Sequence, residues 1–234
     1  MWIFYASEIS DEMELSAEEA GHCIRVLRMT EGDRIRLTDG KGCFYDAVIS
    51  SVSGKRCMVH IVGSEFQEPL WKGHLHIALA PTKLMERNEW FVEKAVEIGV
   101  DEITFLRTEH SERDVIKMER IGKIAVSAMK QSQKAMLPVL GGMTSFKSFV
   151  ERTFDGDRFI AHCEPGSKVN LKDVVVPGHN TLVLIGPEGD FSPAEIDIAL
   201  KAGFKPVSLG PSRLRTETAA LVAVHIMNLA GQNQ

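Results

Sequence analysis

The run His74-Leu75-His76-Ile77-Ala78-Leu79-Ala80 constrains this chain most, because it is almost continuously apolar and a helix-period segment follows it directly. Met85 to Ile98 places Phe91, Ala95 and Ile98 on one face, with Gly99 positioned to stop the helix, and Val100 to Leu106 is a second apolar run. Strand, helix and strand at this spacing make a βαβ unit. Its crossover is right-handed and its strands are parallel, so both faces of the sheet need covering.

The pattern continues toward the C-terminus. Ile121, Ile124, Ala125, Ala128 and Ser132 share one helical face, in a helix that ends before Pro138. Arg158 to Cys163 and Thr181 to Ile185 read as strands. Ser192-Pro193-Ala194-Glu195 combines a capping box with proline at the first helical position, starting a helix that Gly203 should end. Val207-Ser208-Leu209 is a last short strand. The final helix, Glu217 to Leu229, is apolar on nearly every side, which calls for a second covering surface, most economically a dimer partner.

Upstream of His74 the period is that of short strands. Trp2 to Tyr5 is strand-like, and Ser16 with Glu19 predicts a capped helix running through Leu27. Arg34 to Leu37, Phe44 to Ile49 and Cys57 to Val62 are strands separated by Asp39-Gly40 and Ser53-Gly54, the pattern of a small barrel. Ser64 to Gly73, with Pro69, reads as a linker. Two domains follow, residues 1–68 and 72–234.

Composition narrows the function classes. A chain of 234 residues, 44% hydrophobic and 25% charged, with mean hydropathy −0.05, folds as a globular protein and needs no disulfide framework. Its longest strongly apolar stretch, Ala219 to Met227, falls short of the roughly 20 residues that cross a bilayer, and MWIFYASEIS has no basic leader region. A cytoplasmic protein without membrane partners is expected. Cys23, Cys43, Cys57 and Cys163 lack metal-ligand spacing and read as buried reduced thiols, and the histidines are scattered apart from His74 and His76, so no metal is expected. The net charge of −5 sits entirely in residues 1–70, where 7 Lys and Arg face 12 Asp and Glu; the remainder is neutral. Within the neutral part, Arg107 to Lys134 holds seven basic residues against four acids, the pattern either of an RNA-facing surface or of an ordinary solvated helix face.

In an open parallel sheet, ligands bind beyond the carboxyl ends of the strands. Three loops leave such ends. Pro81 to Arg87 carries Lys83 and Arg87. Gly186-Pro187-Glu188-Gly189-Asp190-Phe191-Ser192 places glycines ahead of a helix whose first N–H groups are free. Leu209-Gly210-Pro211-Ser212-Arg213-Leu214-Arg215-Thr216-Glu217-Thr218 leads two arginines into the apolar helix. Taken singly, each reads more readily as an ordinary turn or a solvated charge than as a site. No GxGxxG, GxxxxGK[ST], GxSxG or HExxH motif is present, so nucleotide hydrolysis and zinc chemistry lose weight. Cys163 reads as a core thiol rather than a nucleophile, having no activating partner in the sequence.

Together these segments resemble a known family. His22…Val26-Leu27-Arg28…Gly32-Asp33, Lys83…Glu89-Trp90…Lys94-Ala95…Glu97-Ile98-Gly99-Val100, Gln131-Ser132, Ile185 to Gly189, and Leu209-Gly210…Arg213 to Ala219 are similar, in order and across essentially the whole chain, to the RsmE-type ribosomal RNA uracil-N3 methyltransferases. The resemblance implies a PUA-like barrel followed by a SPOUT-class α/β domain with a deep C-terminal trefoil knot. It implies S-adenosylmethionine as cofactor, a homodimer through the knot domain, and a 16S rRNA uridine of the small ribosomal subunit as target.

Carried over, the cofactor cradle comprises Ile185, Gly186, Pro187, Glu188, Gly189, Leu209, Gly210, Leu214, Arg215, Thr216 and Glu217. Two departures stand out. Relatives often carry an arginine in the first few residues, where this chain begins MWIFYA, and arginine commonly follows the Gln-Ser pair, where this chain has Gln133-Lys134. Lysine keeps the charge there but loses the bidentate fork.

The implied chemistry sets demands on the site. Uracil N3 carries a proton of pKa roughly 9, so the proton must leave or the developing anion must be stabilised. Arg215, then Arg213, are the expected stabilisers of the uracil oxygens, and Glu217 the expected proton acceptor, directly or through water. Because N3 lies on the Watson–Crick edge, the base must be unpaired or extruded. Arg25, Arg28, Lys83, Arg87, Arg113, Lys117 and Lys134 are expected to hold the surrounding RNA backbone. Two rivals stay open at this point: a SPOUT-class enzyme acting on tRNA or on a ribose 2′-OH, and a non-catalytic RNA-binding or assembly protein.

Overall fold

The computed structural model describes residues 1–232 and divides into two compact units. The first comprises Met1–Glu68 together with Val126–Leu137; the second comprises Pro69–Ala125 and Pro138 onward.

The first unit contains β1 (Ile3–Tyr5), β2 (Glu12–Glu14), α1 (Ala17–Gly21), a π-helical turn (His22–Val26), β3 (Arg34–Thr38), β4 (Cys43–Ser53) and β5 (Arg56–Phe66). The strands pair in the order β1-β3-β4-β5-β2, with β1 parallel to β3 and the other pairs antiparallel. Register shifts at Asp46/Ala47 and Ile49/Ser51 bend the long β4–β5 ribbon, which lets one sheet wrap a core of Phe4, Ile35, Leu37, Ile49 and Val59. Ser16 caps α1 as expected, accepting from the Glu19 N–H at 3.3 Å. The Glu19 carboxylate does not complete the box; it accepts from the Tyr5 N–H at 3.3 Å and pairs with Lys130 at 2.5 Å.

Two expectations need correction in this unit. β5 runs on through Phe66, so the linker expected from Ser64 is strand at its start. Residues 126–137 also return to this unit: Thr38 Oγ1 donates to the Ala135 carbonyl at 3.2 Å, and the Gln67 side chain bonds both the Ala135 N–H and the Gln133 carbonyl.

The second unit runs β6 (Leu75–Leu79), α2 (Met85–Ile98), β7 (Glu102–Arg107), α3 (Met118–Gln131), β8 (Val139–Ser145), α4 (Phe146–Val150), β9 (Asp157–Ala161), β10 (Val169–Asn170), a 3-10 turn (Leu171–Asp173), β11 (Thr181–Ile185), α5 (Pro193–Lys201), β12 (Lys205–Ser208) and α6 (Thr216–Gly231); the C-terminal half of α3 belongs to the first unit. Its seven strands are all parallel, in the order β10-β12-β9-β11-β6-β7-β8. β6 and β11 are buried at every residue, which is why they read as unbroken apolar runs.

One face is covered by α4 and α5, with Phe146, Phe149, Phe191, Ile196 and Phe204 packed on Ala78, Ile160 and Leu184. On the other, α6 packs against α2, β6 and β11. Gly99 ends α2 at φ 122°, where a Cβ would lie 2.6 Å from Asn228 Nδ2 of α6. The Ser192–Glu195 capping box is complete, and Glu195 reaches further: its carboxylate accepts from the Glu109 N–H at 2.9 Å as well as from Ser192.

Candidate active site

Strand order decides where a site can form. β6 leads outward through β7 to β8, whereas β9, β11 and β12 lie on its other side, so the chain reverses direction at β6 and β11. Such a switch point opens a crevice at the carboxyl ends of the strands. A cleft of about 680 Å³ lies on the β11 side of that point, bounded by the ends of β9, β11 and β12 and by the first turn of α6. That volume falls in the range of small-molecule sites, roughly 300–1,000 Å³.

The second and third loops singled out by sequence both form its walls. Ile185, Gly186, Pro187 and Glu188 line one side; Leu209, Gly210, Arg213, Leu214, Arg215 and Thr216 line another. The backbone explains the glycines. A Cβ on Gly186 would stand 3.0 Å from the Phe191 N and 3.1 Å from Asp190 Oδ1, so any larger residue would push this turn outward by a few tenths of an ångström. Gly210 takes φ 126°, a conformation open to glycine and strained for other residues.

Two cradle residues fall outside the lining. Gly189 faces His110, whose Nδ1 lies 3.1 Å from the Gly189 carbonyl and 3.0 Å from that of Asp190. Both partners are acceptors, so the proton sits on Nδ1. Glu217 is buried beneath the first turn of α6, with Oε1 3.7 Å from Arg87 Nε and Oε2 without a hydrogen-bond partner.

The loop after β6 does not line the cleft but braces Glu188, which does. The Lys83 N–H donates to Glu188 Oε1 at 3.0 Å, and Arg113 Nε donates to the Thr82 and Lys83 carbonyls at 3.2 and 3.1 Å. Lys83 Nζ pairs with Glu112 at 2.8 Å, which raises the lysine's pKa. Lys83 and Arg113 are therefore already engaged with neighbouring groups.

Much of the basic run is internally paired. Arg107 meets Asp114 at 3.8 Å, Arg120 meets Glu89 at 2.6 Å, and Lys130 meets Glu19 at 2.5 Å. Lys117, Arg25 and Arg28 are exposed. Lys134 is buried and presents little surface to a phosphate.

Sequence reasoning missed one wall. Ala161 at the end of β9 and His162, Cys163 and Lys168 from the loop after it also line the cleft, facing Asp190 of the second loop. The strand expected over Arg158 to Cys163 is present as β9 but stops at Ala161, and its place beside β11 and β12 was not legible. Cys163 is exposed in this wall and Cys43 is half-buried, which corrects the expectation that all four thiols are buried; all four are free. Partial burial and Asp190 push the Cys163 thiol up, keeping it protonated and a poor nucleophile. Burial holds His162 below the usual histidine range, and its Nδ1 is buried without a hydrogen-bond partner. Among the described residues no group of three acidic, histidine or cysteine side chains could hold a metal, and no helix is long and apolar enough to cross a membrane.

Residues 69–228 match the family model of an RNA methyltransferase domain, and residues 15–62 that of an RNA methyltransferase PUA domain. The chain belongs to the RNA methyltransferase family. Within this methyltransferase family it is 28% identical to the ribosomal RNA small subunit methyltransferase E of Bacillus subtilis, over 93% of this chain and 90% of the relative. A crystal structure of a probable rRNA-methyltransferase from Porphyromonas gingivalis is 49% identical, with a TM-score of 0.95 over 99% of this chain and 98% of that one. The ribosomal RNA small subunit methyltransferase E of Neisseria gonorrhoeae, bound to S-adenosyl methionine, is 26% identical with a TM-score of 0.88, covering 98% of this chain and 97% of that one. The RsmE type inferred from motifs is thus the type that the Bacillus subtilis and Neisseria gonorrhoeae relatives carry.

Proposed function

We propose that this methyltransferase uses S-adenosylmethionine to methylate N3 of a uridine in 16S rRNA of the small ribosomal subunit. One observation carries the reading: two glycine-bearing loops, separated by α5 and β12, line a single cleft at the carboxyl ends of β9, β11 and β12, with Arg213 and Arg215 on its wall. The Neisseria gonorrhoeae relative binds the same cofactor.

The residues fit that cofactor. Bare Cα positions at Gly186 and Gly210 leave backbone N–H and C=O groups as the natural readers of an adenine, and the volume accommodates a ligand of that size. Ile185 to Glu188, Leu209, Gly210 and Leu214 to Thr216 would hold it, whereas Gly189 and Glu217, also expected in the cradle, lie behind that lining. When bound, the cofactor supplies an electrophilic methyl group on a sulfonium.

The chain's own residues do the rest. Arg215, with Arg213 second, stabilises negative charge growing on the uracil oxygens as the N3 proton leaves. Glu217 takes that proton through water. Alignment of N3 with the methyl carbon supplies much of the acceleration, and no metal is needed. Residues 72–234 form the catalytic SPOUT domain. The trefoil knot implied by the RsmE-type motifs would lie in this domain, where the loops after β11 and β12 meet at one cleft.

Residues 1–68 form a PUA-like RNA-binding barrel. Arg25, Arg28, Lys83, Arg87, Arg113 and Lys117 track the RNA backbone, with Lys83 and Arg113 first exchanging their present partners and Arg87 offering only the part of its side chain left exposed beside Glu217. The half-buried Leu221, Val222 and Ile226 and the exposed Leu229 of α6 support a homodimer through this domain. The enzyme works in the cytoplasm.

The deciding experiment is nucleoside mass spectrometry of small-subunit particles, from cells lacking the protein, incubated with it and S-adenosylmethionine. The reading requires a new 3-methyluridine; a methyl group on ribose, on tRNA or nowhere rejects it.

A further inference from the structure

We infer that Asp190 is a positioning residue of the cleft, its carboxylate tying the loop after β9 to the loop after β11 and so fixing the wall against which the methyl donor lies. The inference rests on the cofactor assignment made above.

Asp190 has φ 64°, a left-handed backbone that aspartate tolerates better than most residues. Its N–H closes the turn onto the Pro187 carbonyl at 2.9 Å. In that pose its two oxygens point different ways. Oδ1 accepts from the Phe191 N–H at 2.8 Å, within its own loop, and Oδ2 accepts from the Cys163 N–H at 2.6 Å, across the gap between strands. His110 fixes the same residue from behind through its carbonyl.

Asp190 and Cys163 both line the cleft, so the bond between them is part of the wall. A carboxylate suits this place because it only accepts, and both partners only donate. Asparagine would turn an NH2 toward one donor. Glycine would keep the backbone but leave the Cys163 N–H unpaired and the β9 loop untethered at its first turn. A negative charge in this wall also favours a cationic sulfonium ligand over its neutral thioether product.

The test compares wild type with Asp190→Gly and Asp190→Asn. Calorimetry measures S-adenosylmethionine and S-adenosylhomocysteine binding, hydrogen exchange reads the Cys163 amide without ligand, and steady-state assays separate KM from kcat. In Asp190→Gly the Cys163 amide should exchange at least about tenfold faster and the sulfonium donor should bind about tenfold more weakly, the thioether losing less. KM should rise more than kcat falls. Asp190→Asn, which keeps one acceptor and tolerates the same backbone, should lie between and carries the comparison if the glycine variant unfolds.

Wild-type donor affinity in a folded Asp190 variant overturns this inference alone, as does equal loss for both ligands with no change in exchange. Failure of the wild type to bind the donor overturns the proposed function and this inference with it.

Discussion

Arg87 on α2 and Glu217 in the first turn of α6 face each other at 3.7 Å, and the second oxygen of that carboxylate is buried without a hydrogen-bond partner. A buried carboxylate with one cation nearby depends on that cation. Arg87→Ala should therefore lower unfolding free energy by about 1–3 kcal/mol, discounted from the cost of a fully buried pair because Arg87 is one-third exposed. Arg87→Lys should recover part of it. Urea denaturation measures this, and an unchanged midpoint in Arg87→Ala would show that water already satisfies Glu217.

Gly186→Ala tests the cradle. The added methyl would press on the Phe191 N and on the Asp190 carboxylate, both fixed by hydrogen bonds. The turn must shift, and S-adenosylmethionine affinity should fall at least about tenfold; because Gly186 and Phe191 are buried, the melting temperature should fall as well. Calorimetry showing wild-type affinity would mean that the loop gives way without altering the cleft.

Much of the fold was legible because its signals are local. The apolar period places α2 at Met85–Ile98, as observed, and both-face burial made β11 readable to the residue. β2, β8 and β10 were not readable. Glu12-Met13-Glu14 and Val169-Asn170 are too short to show a period, and Val139 to Ser145, with two glycines and a mostly half-exposed edge, lacks the apolar run of the inner strands. The cleft divided in the same way. Its glycine loops announced themselves, but the Cys163 wall depends on β9 lying beside β11, a pairing that no local pattern encodes. Likewise, Glu19 met the sequence rule for a capping box, yet Lys130 and the Tyr5 N–H claimed its carboxylate.

Stability should fall in mild acid through His76. Its Nε2 lies 2.9 Å from Thr104 Oγ1 and 3.6 Å from Glu102, and its ring packs edge-on to Phe149. Burial depresses its pKa from 6.5 to about 4, the nearby Glu102 opposing the shift. A histidine whose folded pKa lies below its unfolded value binds more protons when unfolded. Its contribution is therefore intact above pH 6.5 and is lost progressively as pH falls toward 4, by an order of 3 kcal/mol at most. Chemical denaturation at a series of pH values should show that slope, and His76→Gln should flatten it. A slope that survives in the variant assigns the effect to other groups.

Arg215→Ala tests the chemistry itself. Arg215 caps α6 with an extended backbone, φ −72° and ψ 158°, its carbonyl accepting from the Ala219 N–H at 2.8 Å while its exposed side chain lines the cleft. Since it offers α6 no side-chain cap bond, truncation should leave helix and assembly intact. The loss should fall on the transition state, where charge on the uracil oxygens is greatest, cutting kcat by about 10²–10³-fold with a smaller change in donor affinity. Arg215→Lys should restore part of the rate, since a point charge remains but the planar fork does not. Arg213→Ala should cost less if Arg213 stands second to the reacting base. Single-turnover transfer to small-subunit particles, with elution volume as the control, reads all three. Full transfer by Arg215→Ala at unchanged elution would remove this arginine from the reaction and leave Arg213 as the cation that meets the pyrimidine.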